Sequence, residues 1–433
     1  MSGQINSAKG VPTLSDQPSK QYSFALILIV SLFFFWGFIH NLDPVLIPHL
    51  KKAFLLSDLE TALVDFSVFI AYFVMALPAG YFMQRYGYKS GIILGLSFFA
   101  VGAFLFIPAA DTGAYIYFLG ALFIIACGLT LLETAANPYI TVLGNADTAI
   151  QRLNFAQSFN GLAAFLAPVI GGKLLLSPSE NLTTSASAAI KYAHLMSEAA
   201  KVKVPYGILG CLIVLVIALF SFTKLPRIKE ESIKVEDWGI LQLLKSRKLR
   251  WAIVAQFFYV GAQVCVLSFF IRYSTATAAI SPSQASWYAG GAGLAFMIGR
   301  FVGTFFMQFI SPKTLLSIYS LLCIFFSVIT IFAGGMITVY ALIAIAFFMS
   351  IMFPTIFSMG ISGLGKDTEL GSSLIVMSIV GGAFLPLALG YISDLTENIQ
   401  YGYCVPLACF VVVFSFSRKK FKGNGSGNLT LKS

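Results

Sequence analysis

Thr130, Glu133, Thr134, Asn137 and Thr141 recur at three- and four-residue intervals, so on a helix they form one polar stripe. They follow AYIYFLGALFIIACGLT, a run without a charge from Ala114 to Thr130. An acidic residue at the centre of an apolar span costs about 2.5–3.5 kcal/mol on insertion scales, so it faces a partner or a cavity. Two chemistries fit: a hydrogen-bonded seam between helices, or a cavity-facing stripe on which Glu133 gains and loses a proton. We favour the second. Asn154, Gln157 and Asn160 repeat the pattern on the next run, and Gly161 leaves room for a ligand or helix to approach. Gln256, Tyr259 and Gln263 share a face in the second half of the chain. Asp43 is a second carboxylate in an apolar run, where Pro44 interrupts the backbone ladder and His40 and Asn41 stand just before. For the amides the competing reading is interhelical glue, and for Trp36 and Phe353 it is plain packing against a role as aromatic platform. His40 reads as a hydrogen-bonded seam residue. Asp65, Lys173, Arg272 and Arg300 are expected near helix ends, snorkelling or paired.

These side chains need spans to hold them. Of the 433 residues, 58% are hydrophobic and only 11% charged, and the mean hydropathy is +0.85. So few charges cannot cover a soluble surface, which excludes a soluble globular enzyme. At about 20 apolar residues per span, helices are expected near 23–48, 60–84, 90–110, 114–142, 152–176 and 204–223. Six more are expected near 251–273, 284–309, 314–334, 337–362, 370–393 and 401–417. That divides the chain into a tail (1–22), a first bundle (23–223), a charged linker (224–250), a second bundle (251–417) and a second tail (418–433). The net charge of +10 lies in short segments between apolar runs, so it reads as a topology signal and not as a nucleic-acid surface. Eight Lys and Arg residues of the linker, four of the second tail, and Arg85, Lys89, Arg152, Lys313 and Lys366 gather on one side if both termini are cytoplasmic. Only Lys51, Lys52, Lys191, Lys201 and Lys203 then fall outside. The first 20 residues lack the apolar core of a signal peptide, so the first span is expected to be retained.

The two halves repeat. YFMQRYGYKSG from Tyr81 and FFMQFISPKTL from Phe305 align without a gap at an offset of 224 residues, pairing Lys89 with Lys313. The six cysteines lie in apolar runs with no metal spacing and read as small buried hydrophobes. No phosphate-loop sequence occurs, and His40, His49 and His194 offer no catalytic spacing. No cofactor or metal is expected.

GYFMQRYGYK, residues 80–89, resembles the G-x-x-x-D-R-x-G-x-K loop of the major facilitator superfamily, with Gln84 in place of the aspartate. That change weakens the charge relay attributed to the motif. WGFIHNL, LETAANPYITVLG, RLNFAQSFNGLAA, FFIRY, IGRFVGT, FPTIFSMGI, LGKDTELGSSLIVMSIVGGA and LGYISD follow in order from Trp36 to Asp394. Together they resemble the fucose–proton symporter family and its glucose/galactose-transporting relatives. The resemblance implies an all-α membrane protein of twelve transmembrane helices in two pseudo-symmetric six-helix bundles around a central sugar site. It implies import of a hexose or deoxyhexose of the fucose, galactose or glucose class by proton symport with alternating access, at the inner (plasma) membrane. Glu133 would carry proton coupling and contact sugar, and Asn41, Gln157 and Asn160 match sugar-binding positions. Amides both donate and accept, as does the Tyr259 phenol, which suits vicinal hydroxyls, so Asn137, Gln256, Tyr259 and Gln263 join the expected binding set. The family commonly reads Asn-Asp where this chain reads Asp43-Pro44. That sets Asp43, the second proton-coupling candidate, about 100° off the family position on an ideal helix. Expected partners are a sugar, protons (or sodium) and the lipid bilayer, with no nucleic acid, the protein acting as a monomer. The alternatives are a sodium-coupled sugar transporter and a membrane sugar sensor without transport.

Overall fold

A computed structural model describes residues 19–42, 46, 50, 54, 58–143, 146–175, 196–197, 200–223, 225 and 239–419. Helix α1 spans Ser19–His40. The long helix Asp58–Thr112 contains one non-helical residue, Gly87, at φ 78 and ψ 168. Glycine enters that region without a Cβ clash. The chain therefore bends at the Tyr-Gly-Tyr of the 80–89 motif, and the two arms, 58–86 and 88–112, are α2 and α3. Then follow α4 (Tyr115–Val142), α5 (Ala149–Leu175) and α6 (Lys203–Phe222). After a five-residue helix, Gly239–Leu243, the second half begins with α7 (Arg247–Ser268, continued as Phe270–Ala278). It goes on through α8 (Pro282–Phe306) and α9 (Pro312–Phe332). Helix α10 has two parts, Met336–Met349 and Met352–Ile361, as does α11, Thr368–Met377 and Gly381–Thr396. The last, α12, covers Cys404–Arg418.

Nine helices among the described residues are long and apolar enough to cross a membrane, one of them the 47-residue bent pair α2–α3. With α1, apolar over Leu26–His40, and α5, the spans number twelve. Local chemistry sets several starts. Ser281 and Ser311 accept from the backbone N–H of Gln284 and Thr314, each with proline as the first helical residue. Apolar side chains such as Phe222, Trp287 and Phe332 stand exposed on the outside, where lipid replaces water as the solvent.

In the first bundle α3 packs on α4 and α6, and α1 on α5; in the second, α7 packs on α11 and α12, and α9 on α10 and α12. The aligned lysines occupy equivalent places. Lys89 donates to the Ser221 and Thr223 carbonyls at the end of α6, at 2.9 and 3.0 Å. Lys313 donates to the Lys419 carbonyl at the end of α12, at 2.7 Å. Each cation closes the last helix of its own bundle, where free carbonyls attract positive charge.

Three expectations change. Helix α1 ends at His40, not near 48, because the chain turns at Asn41–Leu42. Helix α7 starts at Arg247, inside the expected linker, because Ser246 caps it by accepting from Leu249 N–H. Cys211 and Cys404 are exposed on the outer surface, whereas the other four cysteines are buried.

Candidate substrate and coupling site

Two glycines set the stripe on α4 in place. A Cβ on Gly128 would stand 2.6 Å from the Gly95 carbonyl oxygen, and one on Gly95 would stand 2.9 Å from that of Gly128. Helices α3 and α4 therefore cross backbone to backbone, and Thr130 through Thr141 turn inward, every residue buried. Glu133 lies against α2 and α1. The Tyr72 hydroxyl donates to Oε1 at 3.1 Å, while Oε2 makes no hydrogen bond to protein. The Trp36 indole and the Arg300 guanidinium are the other groups acting on this carboxyl.

The stripe narrows when its hydroxyls are followed. Thr130, Thr134 and Thr141 donate to the carbonyls of Ala126, Thr130 and Pro138 within α4 itself. Glu133 and Asn137 are left with polar atoms that no protein group satisfies. Asn137 Oδ1 accepts from Gln157 Nε2 at 3.1 Å, and its Nδ2 is unpartnered. Gln157 in turn meets Arg300 of α8. Nη1 donates to the Gln157 carbonyl at 2.5 Å and to its Oε1 at 3.3 Å, while Nε donates to the Ser350 carbonyl at 3.0 Å. Arg300 is thus a correction. It was expected near a helix end, but it is 4% exposed and lies between the bundles, its guanidinium 4.6 Å from the Phe296 ring centroid.

The other candidates separate by depth. Asn154 donates to Thr355 Oγ1 across the bundle interface at 3.3 Å, and Ser372 donates to the Thr134 carbonyl at 3.2 Å. Gln256 and Tyr259 are fully buried, with neither amide atom of the first nor the hydroxyl of the second bonded to protein. The Tyr259 ring meets Phe353 edge-on at 6.4 Å. Asn160, Gln263 and Asn41 are partly exposed. Asn160 lies against Gly37, where a Cβ would fall 2.7 Å from its Cγ. Asn41 Nδ2 donates to the Gly37 carbonyl at 2.6 Å, which occupies one of its two N–H donors. His40, expected as a seam residue, makes no buried seam contact and is exposed. Gly161 faces α8, with a Cβ position 3.4 Å from Arg300 Cδ, so it admits a helix and not a ligand. Arg272 pairs with Asp394 at 3.6 Å on the surface. Asp43 and the side chains of Asp65 and Lys173 lie outside the described residues.

A gradient runs through this list. Helices α5 and α7 both start at the end where the α4–α5 connection lies. Along them Asn154, Gln157, Gln256 and Tyr259 are buried, and the more distal Asn160 and Gln263 are partly exposed. At the first end α5 meets the second part of α10, and α4 meets the first part of α11. The centre is sealed from that end and approached from the other. Sequence reasoning missed Tyr72 and the depth of Arg300. The signal was an arginine amid the small and apolar residues of IGRFVGT.

The sequence profile of the Major Facilitator Superfamily matches residues 24–369. The chain belongs to that superfamily. It is 39% identical over 410 residues to the L-fucose-proton symporter of Escherichia coli, covering 92% of this chain and 94% of that protein. It is 38% identical over 400 residues to the glucose/galactose transporter of Brucella abortus, covering 91% and 93%. A crystal structure of the transporter FucP in the outward conformation superposes with a TM-score of 0.85 at 39% identity, covering 92% of this chain and 99% of the other. In this major facilitator protein the polar centre lies where the two halves meet, at Gln157 and Arg300.

Proposed function

We propose that the protein imports a hexose or deoxyhexose by proton symport. One observation carries this reading: buried polar atoms without protein partners gather around the buried Glu133 carboxylate and Arg300 at the bundle interface. They are Glu133 Oε2, Asn137 Nδ2, Asn154 Oδ1, both amide atoms of Gln256 and the Tyr259 hydroxyl. Each such group left unpaired costs about 1–3 kcal/mol, and a ligand dense in hydroxyls relieves several at once. The likeness to a fucose-proton symporter and a glucose/galactose transporter supports a sugar as that ligand.

Glu133 couples the proton. Protonation neutralises the carboxyl and lowers the cost of closing a dry site over it. Sugar bonds to Asn137, Gln157 and Asn160 on one bundle and to Gln256, Tyr259 and Gln263 on the other, with Asn41 at the entrance. The bundles then rock, and lower proton activity on the far side releases both. Both termini and the 224–250 linker face the cytoplasm, in line with the Lys and Arg distribution, so the open end faces outward. Asp43 stands as a second coupling candidate, displaced from the family position. The bundles, 23–223 and 251–417, are the moving units, and the protein acts as a monomer in the inner membrane.

The test is uptake of radiolabelled fucose, galactose and glucose into proteoliposomes under separate proton and sodium gradients. Accumulation of at least one sugar under the proton gradient alone is expected. Accumulation only under sodium replaces the coupling ion, and none under either overturns the transport reading.

A further inference from the structure

We infer that Arg300 is a strut that ties occupancy of the central site to closure of the bundles at the α4–α5 end. This rests on the reading of that centre as a sugar site. Arg300 belongs to the second bundle, and its donors reach both halves: the Ser350 carbonyl in its own bundle and Gln157 in the other. A buried guanidinium tolerates its surroundings only while its donors are occupied. Here no carboxylate lies within ion-pair distance among the described residues, and the contacts made are to carbonyl and amide oxygens. The stem of Arg300 passes over Gly161, at 3.4 Å from the position a Cβ would take, so the strut lies flat against α5.

Gln157 is also half of the Asn137–Gln157 pair. Its Oε1 faces Arg300 and its Nε2 faces Asn137, so one amide carries both the strut and the candidate sugar contact. A hydroxyl that donates to this amide competes with Arg300 for Oε1 and leaves the guanidinium on the two main-chain carbonyls. Separation of α5 from α8 then removes fewer bonds than it does in the empty protein. By linkage, whatever loosens the strut also alters sugar affinity. Arg300 acts through Gln157, as a positioning residue.

The experiment places a reporter on the sealed face. Ser372, fully buried against Thr134, is replaced by Cys in the full-length protein in nanodiscs. Its reaction with a small thiol reagent is followed peptide by peptide by mass spectrometry, so the native cysteines do not interfere. Binding of fucose, galactose and glucose is measured by calorimetry on the same samples. In the Ser372→Cys parent, labelling is expected to be slow and to accelerate with a bound sugar. Adding Arg300→Gln should raise the sugar-free rate at least tenfold and abolish the sugar response. Arg300→Lys keeps the charge but cannot hold both carbonyls, so it should give an intermediate rate, and it serves if Arg300→Gln does not fold. Sugar binding with labelling at the parent rate in both variants overturns the strut and leaves the sugar reading standing. Absence of binding by the parent overturns the sugar reading, and the linkage with it, on calorimetry alone.

Discussion

Glu133 and Asn160 make different demands on a substitution, because one is a carboxyl that must change charge and the other an amide that need not. Glu133→Gln keeps the length and one acceptor for the Tyr72 hydroxyl, which bonds Oε1 at 3.1 Å, while removing the titrating proton. Uphill uptake driven by a proton gradient is expected to vanish, with sugar exchange down its own gradient retained. Gradient-driven accumulation at the parent level in this variant would remove Glu133 from the coupling role. Asn160 is partly exposed at the approach to the centre and is close to Gly37. Asn160→Ala should weaken sugar binding by about 1–3 kcal/mol, the cost of leaving polar partners unpaired. Alanine suits a helix, so thermal stability should hold. Unchanged affinity with a lowered melting temperature would identify Asn160 as interhelical glue instead. The two readings separate cleanly.

At the level of helices, the site depends on where backbones approach. The α1–α5 contact at Gly37 and Asn160 gives a test that the side chains alone do not. A Cβ on Gly37 would meet Asn160 Cγ at 2.7 Å, its Nδ2 at 2.8 Å and its Cα at 2.9 Å, so both the amide and the α5 backbone must move. Gly37→Ala favours helix by about 0.5–1 kcal/mol in its own right, yet sugar affinity should fall as far as in Asn160→Ala. In the Asn160→Ala background the same change no longer meets the amide but still meets the Asn160 Cα, so it should still lower the melting temperature. A double variant as stable as Asn160→Ala alone would show that α1 and α5 part freely at Gly37. This dependence explains what was legible beforehand. Apolar run length gave the twelve spans, and the Lys89/Lys313 alignment gave the repeat, since both lysines cap the final helix of their halves. Periodicity marked the α4 face carrying Glu133 and Asn137, and separately the α5 face carrying Gln157. It did not reveal that the threonines on that face satisfy their own helix, nor that Asn41 does. Arg300 was misjudged because its partners, Gln157 and the Ser350 carbonyl, lie 143 and 50 residues away. A local pattern holds no record of them.

Across the whole molecule, burial along α5 and α7 is deeper toward the α4–α5 end than toward the other. The seal is made by few polar bonds, Asn154 to Thr355 and Ser372 to the Thr134 carbonyl, together with the Arg300 strut. These are weak enough individually to break in a rocking motion, and none is a disulfide, since all six cysteines are free. The opposite end has His40 exposed and Asn41 partly exposed where α1 stops. Alternating access then makes a paired prediction. In intact cells without sugar, His40→Cys should react with a membrane-impermeant thiol reagent added outside, whereas Thr355→Cys, fully buried on the sealed side, should not. Cys211 and Cys404 are exposed in the wild type, so labelling must be assigned by peptide. Adding a transported sugar at acidic external pH populates the opposite state, so the His40→Cys rate should fall. A permeant reagent should then reach Thr355→Cys faster than in the resting protein. The two changes must occur together if the bundles rock as rigid halves, because opening one end closes the other. A rise at Thr355→Cys with no fall at His40→Cys would mean a local opening at the seal, and would exclude rocking as the transport motion.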